Sequence, residues 1–512
     1  MRFRSKPAAA EAVRAPRTTA RPMLFAVLAG LSSIFSFEPF GWWPVQLVAL
    51  AWLFYQVGMT TSVKRSAWIG WAFGFGWCVA GMHWLYVAMN TYGAMPAPIA
   101  ALAIVLLGAY MGIYGAFATG VASWLRNRWS LPVWSFLLIA LPVGWGIGEW
   151  LRGWVFTGFP WANAGYAHNI SPLAGYAPIV GVYGVSILAA LCAACLAMLT
   201  QRARLKAVGI LAGVMAAGFG LTYIEWTTPH GKPMTVRLLQ GDVPQDQKFD
   251  TAYIADTLKL YQDMITEAPA DLVATPETAI VLFPQQLPQG YLGSIASFAA
   301  RTGSSVMFGI PFSDGPMSYS NSVGGVNPQG ESYRYDKHHL VPFGEFVPAG
   351  FRWFVDLMSI PLGDFTRGAA VQPPFSVKDQ LVLPNVCYED TFGEEIADQL
   401  RSAASPATVL LNVSNLAWYG ESVAIPQHLQ ISQMRSLETG RPMLRSTNNG
   451  ATAIVDGRGK VTHQLPFYTR GTLAGSVQGM TGFTPYVRFG NYLFLALSAL
   501  ALAAAWFTSR RR

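Results

Sequence analysis

The sequence predicts two joined parts, an α-helical membrane domain with eight spans and a layered α/β domain. The first observation is composition: 52% of the 512 residues are hydrophobic and only 12% are charged, whereas about a quarter are charged in typical soluble proteins. The second is the placement of acids, because only Glu11, Glu38 and Glu149 precede Glu225. The third is a change after Pro233, from long apolar runs to strands alternating with helices.

Seven apolar segments follow the polar, basic residues 1–21, which we interpret as a cytoplasmic tail. Each segment is close to the roughly 20 residues that cross a bilayer. The predicted spans are residues 22–37, 43–60, 67–89, 96–124, 131–151, 175–199 and 207–224, forming a membrane domain at 22–224. An eighth span is predicted at 490–508, before a basic tail at 509–512. A cleaved signal peptide is not expected, since further apolar segments follow at once.

Basic residues mark every second connection between the predicted spans. Those after the second, fourth and sixth spans are Lys64, Arg65, Arg126, Arg128, Arg202, Arg204 and Lys206. The connections 38–42 and 90–95 contain neither Lys nor Arg. Because positive charge favours the cytoplasmic side, both termini are predicted there and residues 225–489 on the opposite face. These clusters suit anionic lipid headgroups, so the net charge of +8 does not indicate nucleic acid.

The connection after the fifth span is rich in aromatic residues and turn formers. It contains Arg152 and the run Thr157-Gly-Phe-Pro160-Trp161-Ala-Asn163-Ala-Gly-Tyr166, and Glu149 lies just before it, near the end of the fifth span. Tryptophan favours the headgroup level, so this run fits an interfacial belt. It fits equally well a lipid-facing wall beside a site in the second domain.

Residues 225–489 predict an α/β layered domain. Strands are predicted near 234–241, 271–275, 305–310, 319–326, 331–335, 380–387, 408–413 and 451–456. Helices are predicted near 251–268, 290–301, 392–403 and 426–439.

Three reactive side chains, Glu277, Lys337 and Cys387, each follow a predicted strand. Strand ends are rigid places from which α/β enzymes present catalytic groups. A thiol with an ordinary pKa of about 8.5 needs help to ionise. A carboxylate can take its proton, and a fixed ammonium can stabilise an oxyanion. Three histidines remain alternative bases: His338, His339 and His428.

Other kinds of site are disfavoured by the sequence. Cys387 is the one cysteine of the second domain, while Cys78, Cys192 and Cys195 lie in apolar segments and suit core packing. No Cys-x-x-Cys or His-Glu-x-x-His zinc motif occurs, and no Gly-x-Ser-x-Gly elbow of a serine hydrolase. Few polar groups lie within the spans, which argues against a transporter.

The order Glu, Lys, Cys in an α/β domain resembles the nitrilase (carbon–nitrogen hydrolase) superfamily. With seven spans before it and one after it, the whole chain resembles the bacterial apolipoprotein N-acyltransferase family. The matching stretches are Gln240-Gly-Asp-Val-Pro244-Gln245, Thr275-Pro-Glu277-Thr, Tyr335-Asp-Lys337-His-His-Leu-Val-Pro-Phe-Gly-Glu345, Val386-Cys387-Tyr388-Glu389, Asn412-Val-Ser-Asn415 and Gly158-Phe-Pro-Trp161.

This resemblance implies an αββα sandwich with Glu277 as base, Lys337 as oxyanion stabiliser and Cys387 as nucleophile. Supporting or substrate-binding residues are expected to be Glu345, Tyr388, Glu389, Phe249, Asn412 and Trp161. Phe249 departs from the family, where tryptophan is expected. A phenyl ring keeps a packing role but cannot donate an indole hydrogen bond.

The implied reaction is a ping-pong acyl transfer in the bacterial inner membrane, with the catalytic domain periplasmic. The sn-1 chain of phosphatidylethanolamine is expected to pass through a Cys387 thioester to the N-terminal amine of diacylglyceryl-cysteine on apolipoproteins. This would be the last step of lipoprotein maturation. No metal, cofactor or nucleic acid is expected, and the protein is predicted to be a monomer. The alternative is a membrane-anchored amidase that hydrolyses a soluble amide.

A lateral apolar entrance is predicted below Cys387. The aromatic stretch 351–361, with Trp353, Phe354 and Met358, is predicted to be either a mobile lid or an ordinary interfacial loop.

Overall fold

The computed structural model describes residues 20–200, 203–315, 318–348, 350, 352 and 364–510. The proposed lid residues Trp353, Phe354 and Met358 lie outside these ranges. Within the described ranges the chain has the two predicted parts, an apolar helical part and a domain of two β-sheets flanked by helices.

The first part is built from apolar helices packed side by side. These are α1 (Ala20–Ser32), α2 (Trp43–Gly58), α3 (Val63–Met82), α4 (Ala97–Arg128), α5 (Val133–Arg152), α6 (Ala177–Ala197) and α7 (Arg204–Leu221). Glycines let α3 and α4 approach closely, because a Cβ atom on Gly70 would lie 2.3 Å from the Gly115 carbonyl oxygen. Small residues serve helix packing in membranes in this way.

Five of the described helices are long and apolar enough to cross a membrane, and a bent pair makes six. The five are α4, α5, Pro172–Ala197, α7 and the C-terminal Tyr492–Arg510. The predicted span 67–89 is divided in two: α3 ends at Met82, and the chain turns by 61° into Leu85–Tyr92. The first two predicted spans are short. Helix α2 has 16 residues, a length of about 24 Å against a bilayer core of about 30 Å.

Within its described residues, the second part contains fourteen strands. They are β1 (Thr228–Pro229), β2 (Met234–Gln240), β3 (Leu272–Ala274), β4 (Ser305–Gly315), β5 (Ser318–Val326), β6 (Ser332–Asp336), β7 (Phe375–Val377), β8 (Gln380–Val386), β9 (Val409–Ser414), β10 (Met443–Thr447), β11 (Ala453–Val455), β12 (Val461–Gln464), β13 (Gly471–Val477) and β14 (Met480–Thr481). The helices are α8 (Thr251–Thr266), α9 (Tyr291–Thr302), α10 (Gly393–Ser402), α11 (Ala424–Thr439), α12 (Pro485–Phe489) and α13 (Tyr492–Arg510).

Two six-stranded sheets, β13-β2-β3-β4-β5-β6 and β12-β11-β10-β9-β8-β7, pack face to face. Val236 and Leu272 of the first sheet share a buried core with Val382 and Leu411 of the second. Helices α8 and α9 cover the outer face of the first sheet, and α10 and α11 that of the second. This is the predicted αββα sandwich.

Each sheet has three parallel strands at its centre, β2-β3-β4 in one and β8-β9-β10 in the other. The carboxyl ends of parallel strands meet at one edge of a sheet. Glu277 follows β3 and Cys387 follows β8 directly, so the topology brings these residues to the two sheet edges that face one another.

Helix α11 joins the two parts. Trp161 Nε1 donates to Gln427 Oε1 at 2.8 Å, and Asn169 donates to the Gln430 carbonyl at 2.5 Å. Gly181, with φ of +64°, interrupts α6, and the N–H of the next residue, Val182, donates to Glu438 at 2.7 Å. The domain of two sheets is therefore docked on the helical part through these hydrogen bonds.

Candidate active site

Two carboxylates flank one buried ammonium at the edge of the first sheet. Lys337 Nζ lies 2.9 Å from Glu345 Oε2 and 3.8 Å from Glu277 Oε1. Asn321 of β5 donates to both acids, at 2.7 Å to Glu277 and 2.8 Å to Glu345. Burial alone would lower the pKa of Lys337, but the carboxylates of Glu345 and Glu277 outweigh it and raise that pKa. Lys337 is therefore a fixed cation.

Glu389 organises the backbone between the lysine and the cysteine. Its Oε1 accepts from the N–H groups of His338 (2.6 Å) and His339 (3.1 Å). Its Oε2 accepts from the Val386 N–H at 2.6 Å and from the Tyr335 hydroxyl at 3.1 Å. One buried carboxylate thus ties the segment after Lys337 to the strand that ends at Cys387.

Cys387 begins a short 3-10 turn, Cys387–Thr391, which we call the catalytic turn. Its φ of +52° is unusual for a residue with a side chain. Its carbonyl oxygen accepts from Asn412 Nδ2 at 3.1 Å and from His428 Nε2 at 3.2 Å. Burial and the charge of Glu277 raise the pKa of the Cys387 thiol well above its ordinary value, although Lys337 opposes them. The resting thiol is therefore protonated and needs a base.

The loop between β2 and α8 supports Glu277 from behind. Lys248, 2% exposed, donates to the Glu277 carbonyl at 3.0 Å. The backbone N–H of Asn415 donates to Glu277 Oε2 at 2.8 Å, and its side chain donates to Gln245 at 2.8 Å. Burial lowers the pKa of Lys248 to about 8. These contacts hold Glu277 with its carboxylate towards Lys337.

The three alternative histidine bases are engaged elsewhere. His338 Nδ1 lies 2.8 Å from the Gly368 carbonyl. His339 has one ring nitrogen 2.7 Å from Glu395 and the other 3.0 Å from the Thr157 carbonyl. His428 faces the backbone oxygen of Cys387 through Nε2. Within the described residues, no group of three His, Cys, Asp or Glu side chains could hold a metal.

Sequence comparisons match both parts of the chain. The family "Apolipoprotein N-acyltransferase N-terminal domain" matches residues 29–195, and the family "Carbon-nitrogen hydrolase" matches residues 235–486. The apolipoprotein N-acyltransferase of Ralstonia nicotianae is 51% identical over 95% of this chain and 93% of its own length. The chain belongs to the apolipoprotein N-acyltransferase family.

Two further members of that family are similar over almost their whole length. The Chromobacterium violaceum protein is 45% identical, covering 96% of this chain and 94% of its own. The Nitrosomonas europaea protein is 43% identical, covering 96% and 98%. Among solved structures, a CN-hydrolase superfamily protein of Xanthomonas campestris matches 48% of this chain and 91% of its own, with 16% identity and a TM-score of 0.38.

In this acyltransferase the membrane part reaches the catalytic turn through the connection after α5. Arg152 clamps that connection by donating to the carbonyls of Phe159 (3.2 Å) and Trp161 (2.5 Å). Tyr388 donates its hydroxyl to the Gly158 carbonyl at 2.9 Å and stacks on Phe159. We call residues 158–163 the clamped loop. Because Trp161 is only 3% exposed, it packs against the catalytic domain and is not part of an interfacial belt.

An aromatic cluster lies where α3 breaks, beside the site. The Trp84 ring is 4.7 Å from Trp161 and 4.5 Å from Tyr419. Burial raises the pKa of the Tyr419 hydroxyl, and the charge of Cys387 raises it further while that of Lys337 opposes the shift. The membrane part therefore supplies apolar surface next to the reactive groups, as an acyl chain would require.

The structure brings together most of the predicted supporting residues. Five of them form hydrogen bonds with the reactive residues or with the segments that hold these in place: Glu345, Tyr388, Glu389, Asn412 and Trp161. Phe249 is the exception: it is 53% exposed and not part of the buried core, so its supporting or substrate-binding role stays a prediction. Sequence reasoning missed Asn321 and the inward-facing Lys248. Neither carries a motif, since an asparagine within a strand and a lysine in a loop are common.

Proposed function

We propose that this enzyme moves a fatty acyl chain from a phospholipid to the N-terminal amine of a diacylglyceryl-cysteine, through a thioester on Cys387. The observation that carries the proposal is the convergence of Glu277, Lys337 and Cys387, with apolar surface of the membrane part beside them. Lipoprotein and phospholipid substrates in the bacterial inner membrane accord with the family.

The first half-reaction forms the thioester. Glu277 takes the thiol proton as Cys387 Sγ attacks the ester carbonyl, and a carbon–sulfur bond forms. The resulting oxyanion is stabilised by the Lys337 ammonium, which Glu345 keeps in place. The carbon–oxygen bond of the ester then breaks. Glu277 returns its proton to the departing alkoxide, and lysophospholipid leaves.

The second half-reaction transfers the acyl chain. The free amine of the diacylated lipoprotein attacks the thioester carbonyl, and Lys337 again stabilises the oxyanion. Glu277 accepts a proton from the attacking nitrogen. The carbon–sulfur bond breaks, the sulfur recovers the proton, and an amide remains on the lipoprotein. A covalent intermediate allows one lipid to leave before the next arrives.

We further propose phosphatidylethanolamine as the donor and a monomer as the active form. The donor follows from the resemblance described above. The monomer is supported by the site itself, since Glu277, Lys337, Glu345, Asn321 and Cys387 all come from one chain.

The proposed topology has eight spans, both termini in the cytoplasm and the catalytic domain in the periplasm. Arg126, near the end of α4, donates to the Gly58 and Thr60 carbonyls, which groups two basic connections on one face. The connections without basic residues contact the catalytic domain, as in the Glu38 N–H bond to Gln430 (3.3 Å). This separation of basic and non-basic connections supports the orientation.

An in vitro transfer assay separates this function from the amidase alternative. The purified full chain is incubated with phosphatidylethanolamine and a diacylated peptide that has a free N-terminal amine. We expect N-acylated peptide and lysophospholipid in equal amounts, and neither product from Cys387→Ala. Hydrolysis of a soluble short amide, without any N-acylated peptide, would instead establish the amidase.

A further inference from the structure

A buried polar cluster lies at the catalytic turn, which contributes Asp390 to it, and neither half-reaction uses the cluster. Its members, His428, Asp390, Arg445 and Ser432, are each at most 1% exposed. His428 Nε2 lies 2.8 Å from Asp390 Oδ1, and Arg445 Nη1 lies 3.0 Å from Asp390 Oδ2. Ser432 donates to Asp390 as well. Buried ionic groups contribute little net stability. A role for the cluster is therefore better sought in its position next to Cys387.

Arg445 determines which ring nitrogen of His428 carries the hydrogen. Its Nη2 lies 2.8 Å from His428 Nδ1. A guanidinium has only donors, so Nδ1 must accept, and the ring hydrogen is on Nε2. That N–H bonds to the Cys387 carbonyl, while Asp390 Oδ1 lies 2.8 Å from Nε2 without accepting a hydrogen bond. His428 is therefore a fixed donor to the backbone of Cys387 and not a base for its thiol.

The Cys387 carbonyl belongs to the peptide unit that joins Cys387 to Tyr388. This unit is planar, with its carbonyl and its N–H on opposite sides. Donors from His428 and Asn412 hold the carbonyl, so they also fix the direction of the Tyr388 N–H and of the Cys387 Cα. A non-glycine residue with positive φ is in a disfavoured backbone conformation that its surroundings must hold in place. The left-handed Cys387 therefore depends on such restraints.

One face of the His428 ring is covered by the clamped loop. The Trp161 ring stacks on it with centroids 5.6 Å apart and planes inclined by 10°. The Trp161 indole is itself held by its hydrogen bond to Gln427. The imidazole can neither rotate nor slide away from the catalytic turn without breaking these contacts.

We propose that His428 is a positioning residue of the acyl transfer, which holds the Cys387 peptide in its reactive orientation between Asp390, Arg445 and Trp161. The inference rests on the proposed function, because its effect is on thioester formation. A misplacement of about 1 Å at a reacting group costs on the order of 100-fold in rate. Loss of the His428 donor is expected to slow acylation of Cys387 by about 10-fold to 100-fold.

The test compares His428→Leu, His428→Gln and His428→Asn in the full chain. Each variant is incubated with phosphatidylethanolamine, and the rate of Cys387 acylation is measured by intact-protein mass spectrometry. The leucine variant is expected to be slow, with an unchanged KM for phospholipid. The glutamine variant should recover most of the rate, because its Nε2 reaches nearly the position of the histidine Nε2. The asparagine variant, one methylene shorter, should not. Gln433→Leu is the matched control, since Gln433 of α11 donates to the Gly459 carbonyl, away from Cys387.

A folded His428→Leu variant with the wild-type acylation rate would overturn the inference. If that variant does not fold, the amide pair decides: glutamine faster than asparagine supports positioning, and equal rates overturn it. A wild-type protein that forms no thioester would refute the proposed function. A thioester that forms equally fast in the wild type and in all variants would refute only the role of His428.

Discussion

Asn321 is the residue on which the geometry of the two acids depends. Its single amide nitrogen donates to Glu277 and to Glu345, which both lie beside Lys337. Like charges in one site repel each other unless donors and a cation separate them. Asn321 therefore sets the distance from each carboxylate to the ammonium.

Asn321→Leu is expected to lower kcat for acyl transfer by about 100-fold, because Glu277 loses its orientation. The KM for phospholipid should change little, since Asn321 lies behind the acids. Ser320→Ala is the matched control. The neighbouring Ser320 hydroxyl donates a hydrogen bond to Asp336 at 2.9 Å, and not to Glu277 or Glu345. Wild-type kcat in Asn321→Leu would contradict this role.

The placement of Glu277, Lys337 and Cys387 after strands could be predicted, because local sequence patterns are informative at strand ends. Asn321 could not, because it meets Glu277 across 44 residues of chain and resembles any polar residue of a half-exposed strand. The role of His428 could not be predicted either, since its partner Arg445 becomes a neighbour only through the packing of α11 on the second sheet.

The contact between the catalytic turn and the clamped loop gives a prediction for Tyr388. Tyr388→Phe removes one hydrogen bond to Gly158, worth about 1 kcal/mol, so kcat should fall no more than about fivefold. Tyr388→Ala should lose much more, because the ring packs on Phe159 and Phe392. Equal kcat values for the two variants would show that the ring contacts are dispensable.

Helix α11 should make the stability of the protein depend on pH through Glu438. Burial raises the pKa of Glu438 from 4.5 to about 7, although Arg435 opposes the shift. The folded protein then holds a proton that the unfolded chain releases between these two values. The free energy of unfolding must therefore fall as pH rises through that window, by roughly 3 kcal/mol.

Thermal unfolding in detergent at pH 5 and pH 8 measures this effect. We expect a lower Tm at pH 8, and a smaller difference between the two pH values in Glu438→Gln, which cannot ionise. An identical pH dependence in the wild type and in Glu438→Gln would assign the effect to other groups.

Strand β10 shows why some elements escaped prediction. All five residues of Met443–Thr447 are buried, although Arg445, Ser446 and Thr447 are polar. Charged residues are rarely buried unless paired, so such a run suggests a surface segment. Asp390 and Ser432 pair with Arg445 only in the folded sandwich, and the strand forms in the middle of the sheet.

At the scale of the whole molecule, composition and charge sufficed to predict a membrane part and a catalytic part. The break after α3 was not predictable, because the apolar sequence continues to about residue 89. Hydropathy does not distinguish contact with lipid from contact with protein. In the structure, Tyr92 packs on Trp418 of the catalytic domain with ring centroids 6.0 Å apart.

Single cysteines at Thr61 and Gln329 test the orientation. Both positions are exposed, Thr61 in the connection after α2 and Gln329 in the turn between β5 and β6. In a Cys387→Ser background the other cysteines are buried. A membrane-impermeant maleimide should label Gln329→Cys in intact spheroplasts and Thr61→Cys only after lysis. The opposite pattern would reverse the proposed topology.

The central claim is that Cys387 carries the acyl chain between two lipid substrates. Intact-protein mass spectrometry after incubation with phosphatidylethanolamine alone tests it most directly. We predict an adduct of one fatty acyl chain on Cys387, which disappears when a diacylated peptide with a free N-terminal amine is added. Transfer to the peptide without any adduct on the wild-type enzyme, or an adduct that forms in Glu277→Gln but not in the wild type, would contradict the account.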